Sequence, residues 1–287
     1  SLANNHIYDY GGEAVADTLR LLRRAGIHTI GVGRSFEEAR RPVIISIGEV
    51  KIAFLAYTTA YNATDSAHDY VAAPLNLKWV KEDIEKAKAE ADICIVSVHF
   101  GYERIEYPPP QCRKQARAMV EFGADLVVGH HPHVLQGMEF YRRGFIAYSL
   151  GDFIFDNFEL TDQRRKSLIL RATFDKKGIR AVDLLPIWIN DEYQPEMASE
   201  QVARNIVARV TELSRYLENG SSDRKFWESA GAVFLSDQKI GLIRSIKRDG
   251  IKAVFVKLRN LRPFHIRLLI NSLINKIKGG LTHDKSR

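Results

Sequence analysis

Three histidines fall within four positions of the chain, at His130, His131 and His133, just after the apolar run 126–128. In a packed core, three clustered imidazoles would compete for few hydrogen-bond partners, and an unpartnered buried ring nitrogen is costly. Metal ligation explains the cluster better, because two histidines flanking a proline direct neutral nitrogens toward one region where the backbone turns. We predict that His131 and His133 bind metal. A satisfied structural cluster is the alternative, and the role of His130 stays open.

The cluster follows a predicted βαβ unit. Its strand, helix and second strand are expected at 93–98, 111–122 and 126–128. Continuous apolar runs indicate strands covered on both faces, and a right-handed crossover makes them parallel. His99 follows the first strand as His131 follows the second, so both lie at the carboxyl edge, where open α/β sheets bind ligands.

Asn5 and His6 mark another predicted strand exit, of a strand whose body would precede the recorded chain. A sheet of parallel strands would gather these residues with His99, His131 and His133. A nitrogen-rich site with one amide oxygen suits divalent Zn, Mn, Fe or Ni better than Ca or Mg, which prefer oxygen ligands.

Three carboxylates, Asp9, Glu103 and Asp152, lie close in sequence to these loops. A dinuclear metal site normally includes carboxylates, but none of the three has a spacing that compels ligation. Asp9 has a second role open to it, as the cap of a helix that begins near Gly12. Glu103 and Asp152 fit better as outer groups that orient ligating imidazoles.

The remaining pattern predicts an α/β protein. Apolar periodicity indicates helices between Gly12 and Gly26, at 77–89 and at 200–217. Strands are predicted at 27–32 and 145–150, with a hairpin at 43–47 and 52–56 and an antiparallel pair at 168–174 and 181–189. Residues 58–74 are predicted to form a long, functional loop.

The composition is that of a globular protein, with 287 residues, 45% of them hydrophobic and 27% charged. No run reaches the roughly 20 apolar residues that span a bilayer, and the first residues lack the pattern of a signal peptide. Because the chain opens at Ser1, an upstream targeting segment would be invisible. Cys94 and Cys112 are predicted to be buried or idle thiols, which leaves the compartment open.

The positive charge is concentrated in the tail. Residues 238–287 hold thirteen Lys or Arg and two acidic residues. Within 264–278, apolar residues form a stripe flanked by basic ones, at Ile266, Leu269, Ile270, Leu273 and Ile277. Two interpretations stay open: peripheral contact with an anionic membrane surface, or packing on the domain or a partner chain. Nucleic acid binding is not favoured, since the tail has no recognised motif beyond charge.

Five motifs in order resemble the bacterial capsule-synthesis CapA (PGA_cap) family. They are SLANNH at 1–6, DYG at 9–11, SVHFGYE at 97–103, GADLVVGHHPH at 123–133 and YSLGDFIFD at 148–156. The resemblance covers residues 1 to about 157 and weakens toward 190. It implies a calcineurin-like metallophosphatase β-sandwich flanked by helices over 1–190, with its first strand missing, and a mostly helical, basic extension over 191–287.

The resemblance also assigns site residues. It implies that the metal ligands are Asn5, His99, His131 and His133, and that His6 is the catalytic histidine facing the leaving group. The family's aspartate ligands would precede Ser1, so the recorded site is expected to be incomplete. Asp152 stands where the family usually has asparagine, which adds negative charge near the metals.

The implied function is metal-dependent phosphoester hydrolysis in capsule or poly-γ-glutamate biosynthesis, at a site with two divalent transition metals. Partners would be a phosphorylated or anionic polymer-related substrate and membrane proteins of capsule synthesis. The alternative is a non-catalytic component of a polymer synthesis or export assembly that binds metal or anionic polymer. Both a cell-envelope and a cytoplasmic location stay open.

Overall fold

The computed structural model describes residues 1–59, 69–156, 161–218 and 220–249, with side chains described up to residue 236. The helices are α1 (Gly11–Arg24), α2 (Phe36–Ala39), α3 (Leu77–Glu90), α4 (Pro110–Phe122), α5 (Asp162–Arg165), α6 (Glu200–Glu218) and α7 (Ser222–Asp249). The strands are β1 (Val32–Gly33), β2 (Val43–Ile47), β3 (Val50–Thr58), β4 (Val71–Ala72), β5 (Ile93–His99), β6 (Leu126–His130), β7 (Met138–Tyr141), β8 (Gly144–Ala147), β9 (Lys166–Asp175), β10 (Gly178–Ile189) and β11 (Pro195–Met197).

A six-stranded sheet forms the centre, in the order β2-β3-β5-β6-β8-β7. The pairs β3–β5, β5–β6 and β6–β8 are parallel, and antiparallel strands β2 and β7 close the two edges. The predicted βαβ unit is confirmed as β5-α4-β6. His99 is paired with His130, so both strands end at the same level.

Alternate side chains of each strand of the central sheet point to opposite faces, and both faces are covered by other elements. On one face, Val96 and Val127 pack with α3 and α4 residues such as Ile84 and Met119. On the other face, Leu126 and its neighbours pack against a second sheet of order β11-β10-β9. The expected β-sandwich flanked by helices is therefore confirmed.

Helix α6 also packs on the sandwich. Ile206 and Val210 belong to the core between the two sheets, and Leu217 reaches the core under α3 and α4. The Ser214 hydroxyl accepts a hydrogen bond of 2.8 Å from the Met138 amide of β7. The division at residue 190 stays a prediction, but α6 lies on the sandwich and does not stand apart from it.

Most predicted elements are confirmed. The loop predicted at 58–74 contains the short strand β4, and its residues 60–68 lie outside the described residues. Two of the predicted strands also differ. The strand predicted at 27–32 is reduced to Val32–Gly33, because the preceding backbone packs on the N-terminal segment. The Leu2 amide donates to the Ile30 carbonyl at 2.9 Å, and a Cβ at Gly31 would lie 2.7 Å from the Ala3 Cβ.

The strand predicted at 145–150 ends earlier than expected. Strand β8 ends at Ala147, and the sequence analysis missed its antiparallel partner β7. The turn between them, Arg142–Arg143, lacks the Asn-Gly or Asp-Gly pair that marks short hairpins, although Arg142 adopts a positive φ of 52°.

The apolar stripe predicted at 264–278 lies outside the described residues. Among the residues that the structure does describe, no helix is both long and apolar enough to cross a membrane.

Both cysteines are buried and free, as predicted. Burial raises the pKa of each thiol to about 12, and nearby Asp125 adds to the effect at Cys94. Near pH 8 both groups are therefore protonated, and the thiolate is the reactive form.

We expect the two thiols of the native protein to react with a disulfide reagent only slowly. In the denatured protein both thiols should be accessible and should react at once. Rapid labelling of the native protein would contradict this burial.

An ion pair near the core joins Arg40 to α3. The Arg40 guanidinium donates two hydrogen bonds of 2.8 Å to Asp83, which also accepts one of 2.9 Å from the Tyr57 hydroxyl. The side chains of Arg40 and Asp83 are 13% and 8% exposed. The Asp83 hydrogen bond raises the pKa of Arg40, and burial followed by the carboxylate raises that of Tyr57.

Replacing Asp83 with alanine would leave the Arg40 charge without this partner. We expect Asp83→Ala to lower the free energy of unfolding by about 3–5 kcal/mol, measured by urea denaturation. Glu82→Ala is the control, because Glu82 is 45% exposed, lies 3.7 Å from the same guanidinium and should change stability by less than about 1 kcal/mol. Equal effects of the two variants would argue against the buried pair.

Candidate metal centre

The histidines predicted as ligands meet at the carboxyl edge of the central sheet. His99 is the last residue of β5, and His131 and His133 follow the end of β6. The ring centroids of His99 and His131 are 4.7 Å apart, and those of His131 and His133 are 6.0 Å apart. The structure thus gathers rings that are far apart in sequence into one region.

The backbone that carries the rings of His131 and His133 is strained. His131 has a φ of 100° and His133 a φ of 57°, which non-glycine residues rarely adopt. Such conformations cost about 1–3 kcal/mol each and concentrate at functional sites. The neighbouring loop supports this turn through two backbone hydrogen bonds. The Arg104 amide donates to the Pro132 carbonyl at 2.8 Å, and the Phe100 amide donates to the His130 carbonyl at 3.1 Å.

The first group of donor atoms consists of Asn5 and His99. The Asn5 side chain is buried, and its Oδ1 lies 2.9 Å from Nε2 of His99. Two ligands at about 2.1 Å from one metal ion, roughly at right angles, would be separated by about 3 Å. The observed separation is that of a hydrogen bond, and it also fits two neighbouring positions in one coordination shell.

The second group consists of Glu103, His131 and His133, whose donor atoms all lie within 4.8 Å of one another. Nδ1 of His131 is buried and has no hydrogen-bond partner among the described residues. A buried ring nitrogen without a partner is costly, and a metal ion would satisfy it. The donor set therefore fits a divalent transition metal, and Glu103, expected as an outer group, lies close enough to be a direct ligand.

Asp152 fixes the orientation of His133. Its Oδ1 lies 2.6 Å from Nδ1 of His133, which leaves Nε2 as the nitrogen that can bind metal. The two side chains are 7% and 12% exposed. Carboxylates in this position commonly set the tautomer of a ligating histidine. The geometry agrees with the outer role expected for Asp152.

Two residues next to this pair are not predicted from the sequence. The Arg164 guanidinium lies 3.4 Å from Oδ2 of Asp152 and is 7% exposed, and the Phe155 ring stacks on His133 with centroids 4.8 Å apart. Arg164 also lies over the Phe155 ring at 5.6 Å. The extra negative charge of Asp152 is thus met by a buried arginine.

His6 and Asp9 form the exposed side of the site. Nδ1 of His6 lies 2.6 Å from Oδ2 of Asp9, and the side chains are 46% and 38% exposed. The alternative that Asp9 caps the first helix is wrong, because α1 begins after Tyr10 and has no side-chain cap. Asp9 therefore orients the ring of His6.

Burial favours the neutral form of the His99 and His131 rings. It lowers the pKa of His99 to about 3, with a smaller contribution from the surrounding histidines, and it also lowers the pKa of His131. His130 lies on β6, outside both donor groups, and burial lowers its pKa to about 4. Neutral imidazole is the form that binds metal.

The loop that carries Glu103 is anchored by α6. Arg209 donates hydrogen bonds of 3.0 and 2.7 Å to the two carboxylate oxygens of Glu106. The buried Gln136 side chain donates to the Ile105 carbonyl at 2.7 Å. The hydrogen bond that Arg209 donates to Glu106 raises the pKa of Arg209. These bonds hold the loop against the turn that bears His131.

Residues 1–157 match the family described as bacterial capsule synthesis protein PGA_cap. The chain is 33% identical to "Capsule biosynthesis protein CapA" of Bacillus anthracis, over 73% of this chain and 52% of the relative. It is 31% identical to "PGA biosynthesis protein CapA" of Bacillus subtilis, over 72% of this chain and 55% of the relative.

Among solved structures, Haemophilus influenzae NAD nucleotidase (NadN) is similar at 14% identity and a TM-score of 0.39, over 73% of this chain and 45% of that chain. The chain spans about half the length of the curated relatives it matches. With more than half of its residues matched to the family and its motifs gathered at one edge of the sheet, the chain belongs to the bacterial capsule synthesis PGA_cap family.

Proposed function

We propose that the chain is a metal-dependent phosphoester hydrolase of capsule or poly-γ-glutamate biosynthesis. The observation that carries this proposal is the convergence of the histidines at the carboxyl edge, with Nδ1 of His131 buried and lacking a hydrogen-bond partner in the described part of the chain. The place in capsule or poly-γ-glutamate biosynthesis follows from the family and from the relatives' names.

Two divalent ions, drawn from Mn, Zn, Fe and Ni, fit the two donor groups. Asn5 and His99 would hold one, and His131 and His133, with Glu103 beside them, would hold the other. When bound, such ions polarise a phosphoryl group and supply a nucleophile at neutral pH.

The chain's own residues would act around this centre. His6 would give a proton from Nε2 to the departing oxygen of the phosphoester, because its Nδ1 is held by Asp9. Asp152 and Arg164 would keep His133 in one orientation. The substrate would be phosphorylated or part of an anionic polymer, and membrane proteins of capsule synthesis would be its partners.

The first test is His131→Ala. We expect this variant to lose bound metal, because alanine offers no ligand in place of the ring nitrogen. If the parent hydrolyses an aryl phosphate, the rate of hydrolysis should fall at least about a hundredfold. Metal content is measured by mass spectrometry and hydrolysis by release of the aryl alcohol. His28→Ala is the matched control, since His28 is exposed and lies outside the site.

Parent protein that binds metal but hydrolyses no member of a phosphoester panel would contradict the hydrolase and favour a non-catalytic, metal-binding component of the same pathway. Unchanged metal content in His131→Ala would contradict the metal centre itself.

The second test compares two changes at Asp152. Asp152→Ala removes the acceptor for Nδ1 of His133, and we expect metal affinity to fall about 10–100-fold. Asp152→Asn keeps a carbonyl oxygen in the same position and should bind metal far more tightly than the alanine variant. Affinity is measured by calorimetry with Mn²⁺ or Zn²⁺. Equal affinities of parent and Asp152→Ala would show that the carboxylate does not orient His133.

A further inference from the structure

A cavity of about 420 Å³ lies at the opposite end of the central sheet from the metal centre. Asp92, Asp125 and Arg143 line it, and each immediately precedes the first residue of a parallel strand, β5, β6 and β8 respectively. The histidines of the metal centre lie at the last residue of β5 and just after the last residue of β6. At about 3.3 Å per residue, a strand of seven residues separates the two ends by roughly 20 Å.

Both sheets of the sandwich supply cations to this cavity. Arg142 and Arg143 form the turn between β7 and β8, and Lys176 and Lys177 form the turn between β9 and β10. The two sheets meet here, since a Cβ at Gly178 would lie 3.4 Å from Oδ1 of Asp125 at the start of β6. We call this the basic cavity.

Two partly buried acidic groups of the basic cavity are already bound. Asp125 accepts hydrogen bonds from Lys88 at 3.0 Å and from the Cys94 amide at 2.8 Å. Asp92 accepts one of 2.8 Å from the Lys51 amide. These carboxylates therefore stabilise the strand ends and do not neutralise the two turns.

The pairs made by the turns themselves are at the surface. Arg142 lies 3.1 Å from Glu121, which also accepts a hydrogen bond of 2.7 Å from the Tyr141 hydroxyl. Lys176 lies 3.0 Å from Glu49, and these side chains are 54% and 88% exposed. Exposed pairs of this kind contribute little, so a ligand can replace them.

Arg143 and Lys177 are exposed, and neither is within ion-pairing distance of a carboxylate in the described ranges. Five basic and three acidic side chains line the cavity in all. The excess positive charge is thus divided between two turns that belong to different sheets. One small anion would neutralise only part of this positive charge, whereas a chain of regularly spaced negative groups would contact the basic side chains of both turns.

We propose that the basic cavity binds a segment of an acidic polymer with repeated carboxylates. The positive charge calls for a polyanion, and the chain's similarity to a relative named for PGA biosynthesis favours repeated carboxylates over other anions. Binding at this end of the sheet requires neither bound metal nor hydrolysis. The proposal is therefore separable from the phosphoesterase.

The test uses a double variant, Arg143→Ala with Lys177→Ala, and fluorescently labelled γ-linked polyglutamate of defined length. We expect polymer affinity, measured by fluorescence polarisation at low salt, to fall about tenfold, since each lost charge contact contributes a few-fold. The parent affinity should also fall as salt is added. Metal content should not change, which distinguishes a failure here from a failure of the metal centre.

The matched control is Arg24→Ala with Lys78→Ala. It removes the same two residue types from exposed positions on α1 and α3 and keeps the net charge equal to that of the cavity variant. If both double variants weaken binding alike, the attraction is a property of total charge and the basic cavity is not the site.

Competition with unlabelled compounds identifies the ligand class. Unlabelled polyglutamate should displace the probe, and free glutamate or inorganic phosphate should not do so at matched charge concentration. Displacement by polyphosphate at least as strong as by polyglutamate would overturn the choice of carboxylates. Equal polymer affinity of the parent and the Arg143→Ala, Lys177→Ala variant would overturn the site.

Discussion

The candidate metal centre depends on two strands, β5 and β6, that run side by side in the same direction and end at the same level. Their register pairs His99 with His130, so the residues that follow each strand emerge together. A shift by one residue would turn His99 to the other face of the sheet. The apolar side chains that pack on both faces oppose that shift, so the core on either side of the sheet fixes the distance between His99 and His131.

Much of this arrangement could be predicted from the sequence, because its causes are local. Continuous apolar runs indicated buried parallel strands, and the spacing of His131 and His133 indicated a shared ligand region. Arg164 could not be predicted, since an arginine before a strand gives the same pattern whether it is solvated or buried. Its burial arises only when the loop that carries Asp152 folds beside it. The shortened β1 likewise depends on contacts between Gly31 and the N-terminal segment.

The two ends of the central sheet differ in their electrostatics. The carboxyl edge gathers uncharged rings, because burial lowers the pKa of His99 and His131. The amino edge gathers permanent cations on two short turns. Short-range coordination would dominate at the first edge, and longer-range, salt-sensitive attraction at the second. One sandwich can therefore present two kinds of binding surface whose requirements do not conflict.

The contact between Glu106 and Arg209 joins residues 103 positions apart in the chain. Proteins are synthesised from the N-terminus at about 5–20 residues per second. The loop that bears Glu103 thus leaves the ribosome several seconds or more before the helix that anchors it. Through that interval the nascent chain has its histidines but lacks the clamp on its acidic loop, so the loop can be anchored only after Arg209 has been synthesised.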